Sequence, residues 1–286
     1  GGTDAKTALE NSIKYSKDAA ANGAIVTLSA HMPNFTNAKI KDNGNGTYDF
    51  FNCDFNESKD TSGDSLKKIL PGGEKNDVYT AYLDTIATYA KELQQDNIPV
   101  IFRPFHENTG SWFWWGQNLC TTDEYKALWR MTADYLNAHG AADQIVYAYS
   151  TGTEPLDQAS YLERYPGHDL IDVLGFDAYQ REDKDFFLKS MDTSLSVIDS
   201  IGKANHKIIA ITETGYEGVP DSTWWTGTLL PAMEKYPVAY VLVWRNAREK
   251  VTHFFGPYPG QASAEDFKKF FENPKTLFAS DINLYK

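Results

Sequence analysis

The stretch Ile101 to Gly116, IFRPFHENTGSWFWWG, decides the fold of this chain. It starts as a buried strand, passes through an arginine, a histidine and a glutamate, and ends in consecutive large aromatic residues. A packed core can use the aromatic rings, but it has little use for Arg103, His106 and Glu107 in the same place. We therefore interpret the stretch as a core strand that ends in a functional site.

Short apolar runs rich in β-branched residues recur along the chain, with helical periodicity between them. Because the runs are apolar on both faces, they predict parallel strands that are buried on both sides. The six predicted strands are Gly23 to Ala30, Pro99 to Phe105, Ile145 to Tyr149, Asp172 to Phe176, Lys207 to Thr212 and Val238 to Trp244. This alternation is typical of an α/β fold.

The segments between the strands predict helices. The apolar residues of 79–93 share one helical face, and the pattern recurs from Leu188 to Ile198. Thr121 and Glu124 have the spacing of a capping box at a helix start. The polar, glycine-rich segment 34–76 is predicted to be a loop insertion.

Polar residues gather at the carboxyl ends of the predicted strands. In strand order these are His31, Arg103 to Glu107, Thr151 to Glu154, Asp177 with Tyr179 after the fourth strand, Glu213 closing the fifth, and Trp244 with Arg245 closing the sixth. An open doubly wound sheet binds ligands only at a switch point. Polar groups at all six ends therefore favour a (β/α)8 TIM barrel, which collects its active site at this end.

Two glutamates suggest the chemistry. Glu107 and Glu213 lie on different strands and are flanked by aromatic residues, as the carboxylate pair of a glycoside hydrolase would be. We assign Glu107 as the general acid/base, because apolar rings and a second carboxylate favour its protonated form. Glu213 is assigned as the nucleophile, with Tyr179 and Arg103 as the expected donors to its carboxylate.

Other residues of these motifs have competing interpretations. Glu154 and Asp177 could bind sugar hydroxyls or structure their loops. Core packing accounts for two of the four aromatic residues from Trp112 to Trp115 as well as function does, and Trp112 is the one we place against a sugar ring. His106, beside the proposed acid, is interpreted as a hydrogen-bond partner of substrate or glutamate.

Composition excludes several classes of function. A net charge of −12 argues against nucleic acid and anionic membranes as partners, and the longest apolar run is far too short to span a membrane. The sequence has no HExxH, GxSxG, Walker or GxGxxG motif, so we expect neither a metal nor a cofactor. Cys53 and Cys120 could equally form a disulfide or remain free thiols.

Taken in order, the motifs resemble glycoside hydrolase family 26, whose best-known members are β-mannanases. The matching segments are LPGGEK (Leu70 to Lys75), RPFHENTGSWFWWG, YSTG (Tyr149 to Gly152), GFDAY (Gly175 to Tyr179), ITETG (Ile211 to Gly215) and VWRN (Val243 to Asn246). The resemblance implies a (β/α)8 barrel and a retaining mechanism. It also implies that Glu107 is the acid/base and Glu213 the nucleophile, which agrees with the assignment made from the residues.

The resemblance further implies a set of substrate contacts. With the residues already singled out at the strand ends, the expected substrate-binding set is His31, Arg103, His106, Trp112, Tyr179, Trp244 and Arg245. His31 lies in a segment where the family usually has tryptophan at the position of Ala30. That departure affects the distal sugar contacts and leaves the chemistry unchanged.

The strand count differs from that of the family. By resemblance, the acid/base closes the fourth barrel strand and the nucleophile the seventh, whereas here they close the second and fifth predicted strands. The residues before Gly23 predict one helix, with Leu9 and Ile13 on one face, and no strand. We therefore expect residues 1–286 to form a single catalytic barrel domain that lacks the first two strands. Those strands would lie on a separate N-terminal fragment left by cleavage, on a second chain, or in a part of the protein outside this sequence.

The expected activity is endo-hydrolysis of β-1,4-mannosidic linkages in mannan, galactomannan or glucomannan, by a secreted, periplasmic or cell-surface enzyme. Relatives that cleave mixed-linkage β-glucan or β-1,3-xylan, or that release mannobiose from a chain end, share such catalytic residues and remain alternatives. A non-catalytic carbohydrate-binding protein is a third interpretation, disfavoured by the presence of both glutamates.

Overall fold

The structure, a computed structural model, describes residues 5–50, 53, 62–152 and 157–282. The chain divides into two compact units. The first unit is built from the described parts of residues 1–148 and 163–171, and the second from those of residues 149–162 and 172–282. Both units are made of parallel strands and helices that alternate along the chain.

The first unit contains the N-terminal strands and the helices between them. Its elements are α1 (Ala5–Ala21), β1 (Val26–Ser29), β2 (Lys41–Asp42), β3 (Tyr48–Asp49), α2 (Ser65–Ile69), α3 (Asn76–Gln94), β4 (Val100–Arg103), α4 (Thr122–Leu136) and the start of β5 (Ile145–Thr151). β4 is paired in parallel with β1 on one side and with β5 on the other. β2 and β3 form a separate antiparallel hairpin.

The second unit contains the C-terminal strands. Its elements after β5 are α5 (Gln158–Glu163), β6 (Val173–Gln180), α6 (Lys184–Asn205), β7 (Ile208–Tyr216), α7 (Leu230–Met233), β8 (Val238–Val243) and α8 (Ala264–Phe271). A wide helical turn, Trp225–Leu229, leads into α7. β7 lies between β6 and β8, and all three are parallel. The order of the six long strands follows their order in the chain.

Each unit has its own apolar core. In the first unit α1 and α3 cover the strands, with Tyr89 and Leu93 of α3 packed beside Val26 and Val100. The second core is largely aromatic, and in it Trp224 and Trp225 pack with residues of α7 and α8. Tyr89 and Leu93, which the apolar pattern of 79–93 predicted on one helical face, are thus core residues of the first unit.

All six predicted strands are present, and the predicted capping box at Thr121 and Glu124 is confirmed. The predicted carboxyl ends of three strands were too early, because β5 continues to Thr151 and β6 and β7 extend further still. Asp177, Tyr179 and Glu213 lie inside β6 and β7, because the parallel ladder continues through them after a register shift between Phe176 and Asp177. At the shift Thr212 is an extra residue on β7, so the side chains that follow change their register while the backbone pairing continues.

The predicted loop insertion, 34–76, was only partly correct. The described part of that segment contains the hairpin of β2 and β3 and the short helix α2. Across the described residues, no helix combines the length and apolar character needed to cross a membrane. The prediction of a single catalytic domain stays a prediction.

Candidate active site

The turn after β4 carries the proposed acid/base in an unusual backbone conformation. Phe105 and Glu107 both have φ of 53°, in the left-handed region that residues with a Cβ seldom adopt. Such conformations persist only where the surrounding structure holds them, and they cluster at functional sites. Glu107 is half-buried, whereas His106 beside it is almost fully buried.

Trp112 holds the carboxylate of Glu107. Its indole Nε1–H donates a hydrogen bond of 2.6 Å to Glu107 Oε2. The Trp112 side chain is 43% exposed, so its ring is available to stack on a ligand. The residue predicted to form a sugar wall is therefore also a direct partner of the proposed acid/base.

The other three aromatic residues of the motif are buried. Phe113 and Trp115 are stacked with ring centroids 4.4 Å apart, and Trp115 Nε1 donates to the backbone oxygen of His106 at 2.8 Å. Trp114 Nε1 donates to the backbone oxygen of Met32 at 3.1 Å. Core packing thus accounts for three of the four aromatic residues, one more than the sequence suggested.

His106 is enclosed by rings and by positively charged neighbours. The ring of His31 meets it edge-on, with centroids 4.8 Å apart. Burial lowers the pKa of His106 well below its usual range, and the charges of Arg103 and His31 lower it further. Arg103 is itself fully buried and donates from Nη2 to Ser29 Oγ at 3.1 Å. Arg103 and His106 are therefore buried side chains of the first unit, beside the turn that carries Glu107.

The proposed nucleophile has a donor of its own in the second unit. The hydroxyl of Tyr179 donates a hydrogen bond of 2.6 Å to Glu213 Oε2, as expected from their motifs. Glu213 is 4% exposed, so this bond to a buried carboxylate is well shielded from water. Asp177 is buried and accepts from Thr212 Oγ1 at 2.7 Å, whereas Glu154 lies outside the described residues.

The last two residues of the predicted substrate set lie just after β8. Trp244 is half-buried, and its backbone nitrogen donates to the oxygen of Thr214 at 3.0 Å. Arg245 is exposed and pairs with Glu249 at 2.7 Å, which lowers the pKa of Glu249 to about 2. Arg245 thus has an internal partner that a sugar hydroxyl would have to compete with.

Two residues of the second unit, Phe255 and Asn246, were not predicted from the sequence. The ring of Phe255 packs edge-on against the ring of Tyr179, with centroids 5.6 Å apart. Asn246 fixes the backbone at Phe255 through its side chain. The signal available in the sequence was that Asn246 is the last residue of the VWRN motif, which received no role.

Cys53 and Cys120 are not joined by a disulfide in the structure. Cys120 donates to the backbone oxygen of Trp115 at 3.5 Å. Arg164 Nη2 approaches its sulfur at 3.0 Å. The Cys120 thiol is therefore part of the packing behind the aromatic motif.

The sequence model of glycosyl hydrolase family 26 matches residues 3–252. The chain belongs to this family. The family assignment made from the motifs is therefore confirmed, and so is the (β/α)8 fold class. The described residues of this family 26 chain form six strands of such a barrel.

Several relatives and solved structures are similar to the chain. A family 26 β-mannanase from Bacteroides ovatus has 44% identity and a TM-score of 0.87, over 97% of this chain and 77% of that one. An endo-β-1,4-mannanase from Cellulomonas fimi has 36% identity and a TM-score of 0.82, over 96% of this chain and 59% of that one. A mannan endo-1,4-β-mannosidase of Bifidobacterium adolescentis is 32% identical over 93% of this chain. The chain spans 27% of the length of that last relative.

Proposed function

We propose that this chain is the catalytic part of a retaining endo-β-1,4-mannanase that acts on mannan, galactomannan or glucomannan. One observation carries the proposal. Each of two glutamates, Glu107 after β4 and Glu213 in β7, has one carboxylate oxygen held at 2.6 Å by an aromatic donor. Relatives named as mannanases, with 32% to 44% identity to most of this chain, support the choice of sugar.

The reaction proceeds in two displacements. Glu213 attacks the anomeric carbon of the mannosyl unit while Glu107 donates its proton to the glycosidic oxygen, which leaves as the hydroxyl of the departing sugar. Water, deprotonated by Glu107, then attacks the anomeric carbon and releases Glu213 as a carboxylate. The hydrogen bond from Tyr179 stabilises that carboxylate before attack and after release.

The substrate-binding roles follow the placement of the side chains. Trp112, with its half-exposed indole, forms a wall on which the apolar face of a mannosyl ring packs. His31 and Arg245 are exposed and offer polar groups to hydroxyls, while Tyr179 and Trp244 are half-buried. The buried Arg103 and His106 support the site.

The experiment that tests the proposal is reducing-sugar release from galactomannan, glucomannan, lichenan and xylan. We expect release from the two mannans, a rapid fall in galactomannan viscosity as for internal cleavage, and loss of both with Glu213→Ala. Glu182→Ala, an exposed glutamate that follows β6, is the matched control and should match wild type. Unchanged activity in Glu213→Ala would refute the assignment.

The same assay addresses the alternative activities. Release mainly from lichenan or from β-1,3-xylan would identify a family relative with another sugar preference. Mannobiose as the first product, without a fall in viscosity, would identify action from a chain end. Binding of mannan without any release would identify a carbohydrate-binding protein.

Retention has its own measurement. Proton NMR during early turnover should show the β-anomer of the new reducing end first, with the α-anomer growing in by mutarotation. The opposite order would mean a single displacement and would remove Glu213 from the role of nucleophile.

We also propose that the enzyme acts outside the cytoplasm, because mannans are polymers too large to enter a cell. Cell fractionation tests the location of the enzyme.

We further propose that two strand and helix units beyond the described residues complete its barrel. This second proposal is supported by β1 and β8, which are the end strands of the described order, and by the side chains of β8, which are mostly half-buried. Intact mass spectrometry of the purified protein tests whether a further fragment carries the two additional strand and helix units. A stable 32.2 kDa monomer with full activity would contradict the proposal that two further strand and helix units are needed.

A further inference from the structure

Asn246 makes three hydrogen bonds to the end of the loop after β8, residues 246–257, which is also held by a bond of 2.7 Å from the backbone nitrogen of Gly218 to the oxygen of Phe254. Asn246 Oδ1 accepts from the backbone nitrogens of Phe255 at 2.9 Å and Gly256 at 2.8 Å, and its Nδ2 donates to the oxygen of Gly256 at 3.1 Å. A single amide thus satisfies three backbone groups at the far end of its own loop. These bonds fix the backbone at Phe255.

The ring of Phe255 is in turn packed against β6 and against β7, the strand that carries Glu213. It is 5% exposed, and it meets the ring of Tyr179 edge-on with an interplanar angle of 66°. On its other side it lies against the backbone of Gly215, where a Cβ would overlap Phe255 Cδ1. Gly215 has φ of 155° and follows Glu213 by two positions in β7, so glycine is required there by the close approach of the ring.

These contacts form a chain of fixed groups that ends at Glu213. Asn246 holds Phe255, Phe255 confines the ring of Tyr179, and the hydroxyl of Tyr179 donates to Glu213 Oε2 at 2.6 Å. The orientation of a tyrosine ring depends on two side-chain torsion angles. A hydrogen bond weakens steeply when the donor–hydrogen–acceptor angle departs far from linear. Packing that restricts the ring therefore keeps the donor aimed at the carboxylate.

We propose that Asn246 and Phe255 are positioning residues for the nucleophile, acting through Tyr179. The expected change in kcat rests on the proposed function. The expected change in the hydrogen bond between Tyr179 and Glu213 does not. Neither residue touches the reacting atoms. Their role is to keep the Tyr179 hydroxyl on Glu213, so their loss should lower kcat and leave KM nearly unchanged.

The kinetic test uses single variants and one double variant with an aryl mannoside or mannobioside that carries an activated leaving group. Asn246→Ala is expected to lower kcat by about tenfold with KM within about twofold, since a hydrogen bond to a charged group is weakened. Asn246→Asp keeps the acceptor for both backbone nitrogens and should recover most of the rate. Asn273→Ala is the matched control, because Asn273 Oδ1 also accepts a loop nitrogen, from Lys275 at 2.9 Å.

The decisive comparison is made in the Tyr179→Phe background, where the hydroxyl is already gone. There Asn246→Ala should lower kcat by less than about twofold further, because coupled residues are not additive. Independent, multiplicative losses would show that Asn246 only maintains the loop, and would overturn the proposal. If Asn246→Ala does not fold, Phe255→Leu replaces it, since leucine keeps the site apolar but cannot confine the Tyr179 ring.

A structural measurement separates this inference from the proposed function. A crystal structure of Asn246→Ala, or of Phe255→Leu, should show the Tyr179 hydroxyl more than 3.5 Å from the Glu213 carboxylate, beyond hydrogen-bond distance. Retention of the hydrogen bond in both variants overturns the inference whatever the activity. A wild-type chain that cleaves no glycoside refutes the proposed function and leaves this structural result to decide the positioning role.

Discussion

The hydrogen bond between Trp112 and Glu107 can be measured by its effect on catalysis. Trp112→Phe keeps an aromatic ring for sugar stacking but removes the Nε1–H that donates to Glu107 Oε2 at 2.6 Å. Hydrogen bonds to charged groups are worth about 1.5 to 3 kcal/mol. Because Trp112 is 43% exposed, we take the lower end of that range, about 1.5 kcal/mol. This corresponds to a loss of about tenfold in the rate of deglycosylation, which sets kcat when the leaving group is activated.

The assay is a double-mutant cycle on a substrate with an activated leaving group, which needs no proton from Glu107 to form the glycosyl-enzyme. Its four members are wild type, Trp112→Phe, Glu107→Ala and the double variant, with azide added to the two that lack Glu107. Any loss from poorer stacking on phenylalanine occurs in both backgrounds and cancels. The loss of the hydrogen bond occurs only where Glu107 is present.

The expected coupling is therefore about tenfold in rate, or about 1.4 kcal/mol. Trp112→Phe should reduce deglycosylation in the wild-type background and change the azide reaction of Glu107→Ala by less than about twofold. An equal effect of Trp112→Phe in both backgrounds would refute the reasoning. Trp112 would then act on the sugar alone.

Three further predictions follow from the described contacts. Gly110→Ala places a Cβ on the ring of Trp112, so we expect wild-type stability but a loss of activity comparable to Trp112→Phe, checked by melting temperature and kcat/KM. Thr121→Ala removes the capping box of α4 and should destabilise the chain by about 1 kcal/mol in urea. The pKa of His106 is depressed on folding, so the unfolded chain takes up its proton first. The stability due to His106 is therefore full above about pH 7 and falls by up to about 1.4 kcal/mol per pH unit below about pH 6.5. His106→Gln should flatten that fall between pH 7 and pH 5.5 in guanidinium titrations, and an unchanged slope would contradict the assignment.

The strands and helices could be predicted because their signals are local. β-branched runs such as Ile145 to Tyr149 and the one-sided apolar pattern of α3 reflect burial directly, and the structure has both. The carboxyl ends of the strands were harder to predict. Asp177 and Glu213 are polar and resembled loop residues, yet they sit opposite each other in the β6 and β7 ladder beyond a register shift. A shift in pairing depends on the neighbouring strand, and the local sequence does not contain it.

The candidate site shows the same division. Glu107, Glu213 and Tyr179 could be found because charged and hydroxyl groups beside apolar strands are unexpected in a core. Phe255 could not, because a phenylalanine in a loop carries no signal of what its ring will touch. Its contacts with Tyr179 and Gly215 arise only when the 246–257 loop folds back along the strands.

The left-handed backbone at Glu107 has a consequence for protein engineering. At a φ of 53° glycine or asparagine relieves conformational strain, so a sequence optimised only for thermal stability would favour replacing this glutamate. Such a redesign would yield a sturdier protein that has lost its proposed proton donor. Stability screens of this scaffold should therefore hold residue 107 constant, since the selection for a higher melting temperature and the selection for turnover act there in opposite directions.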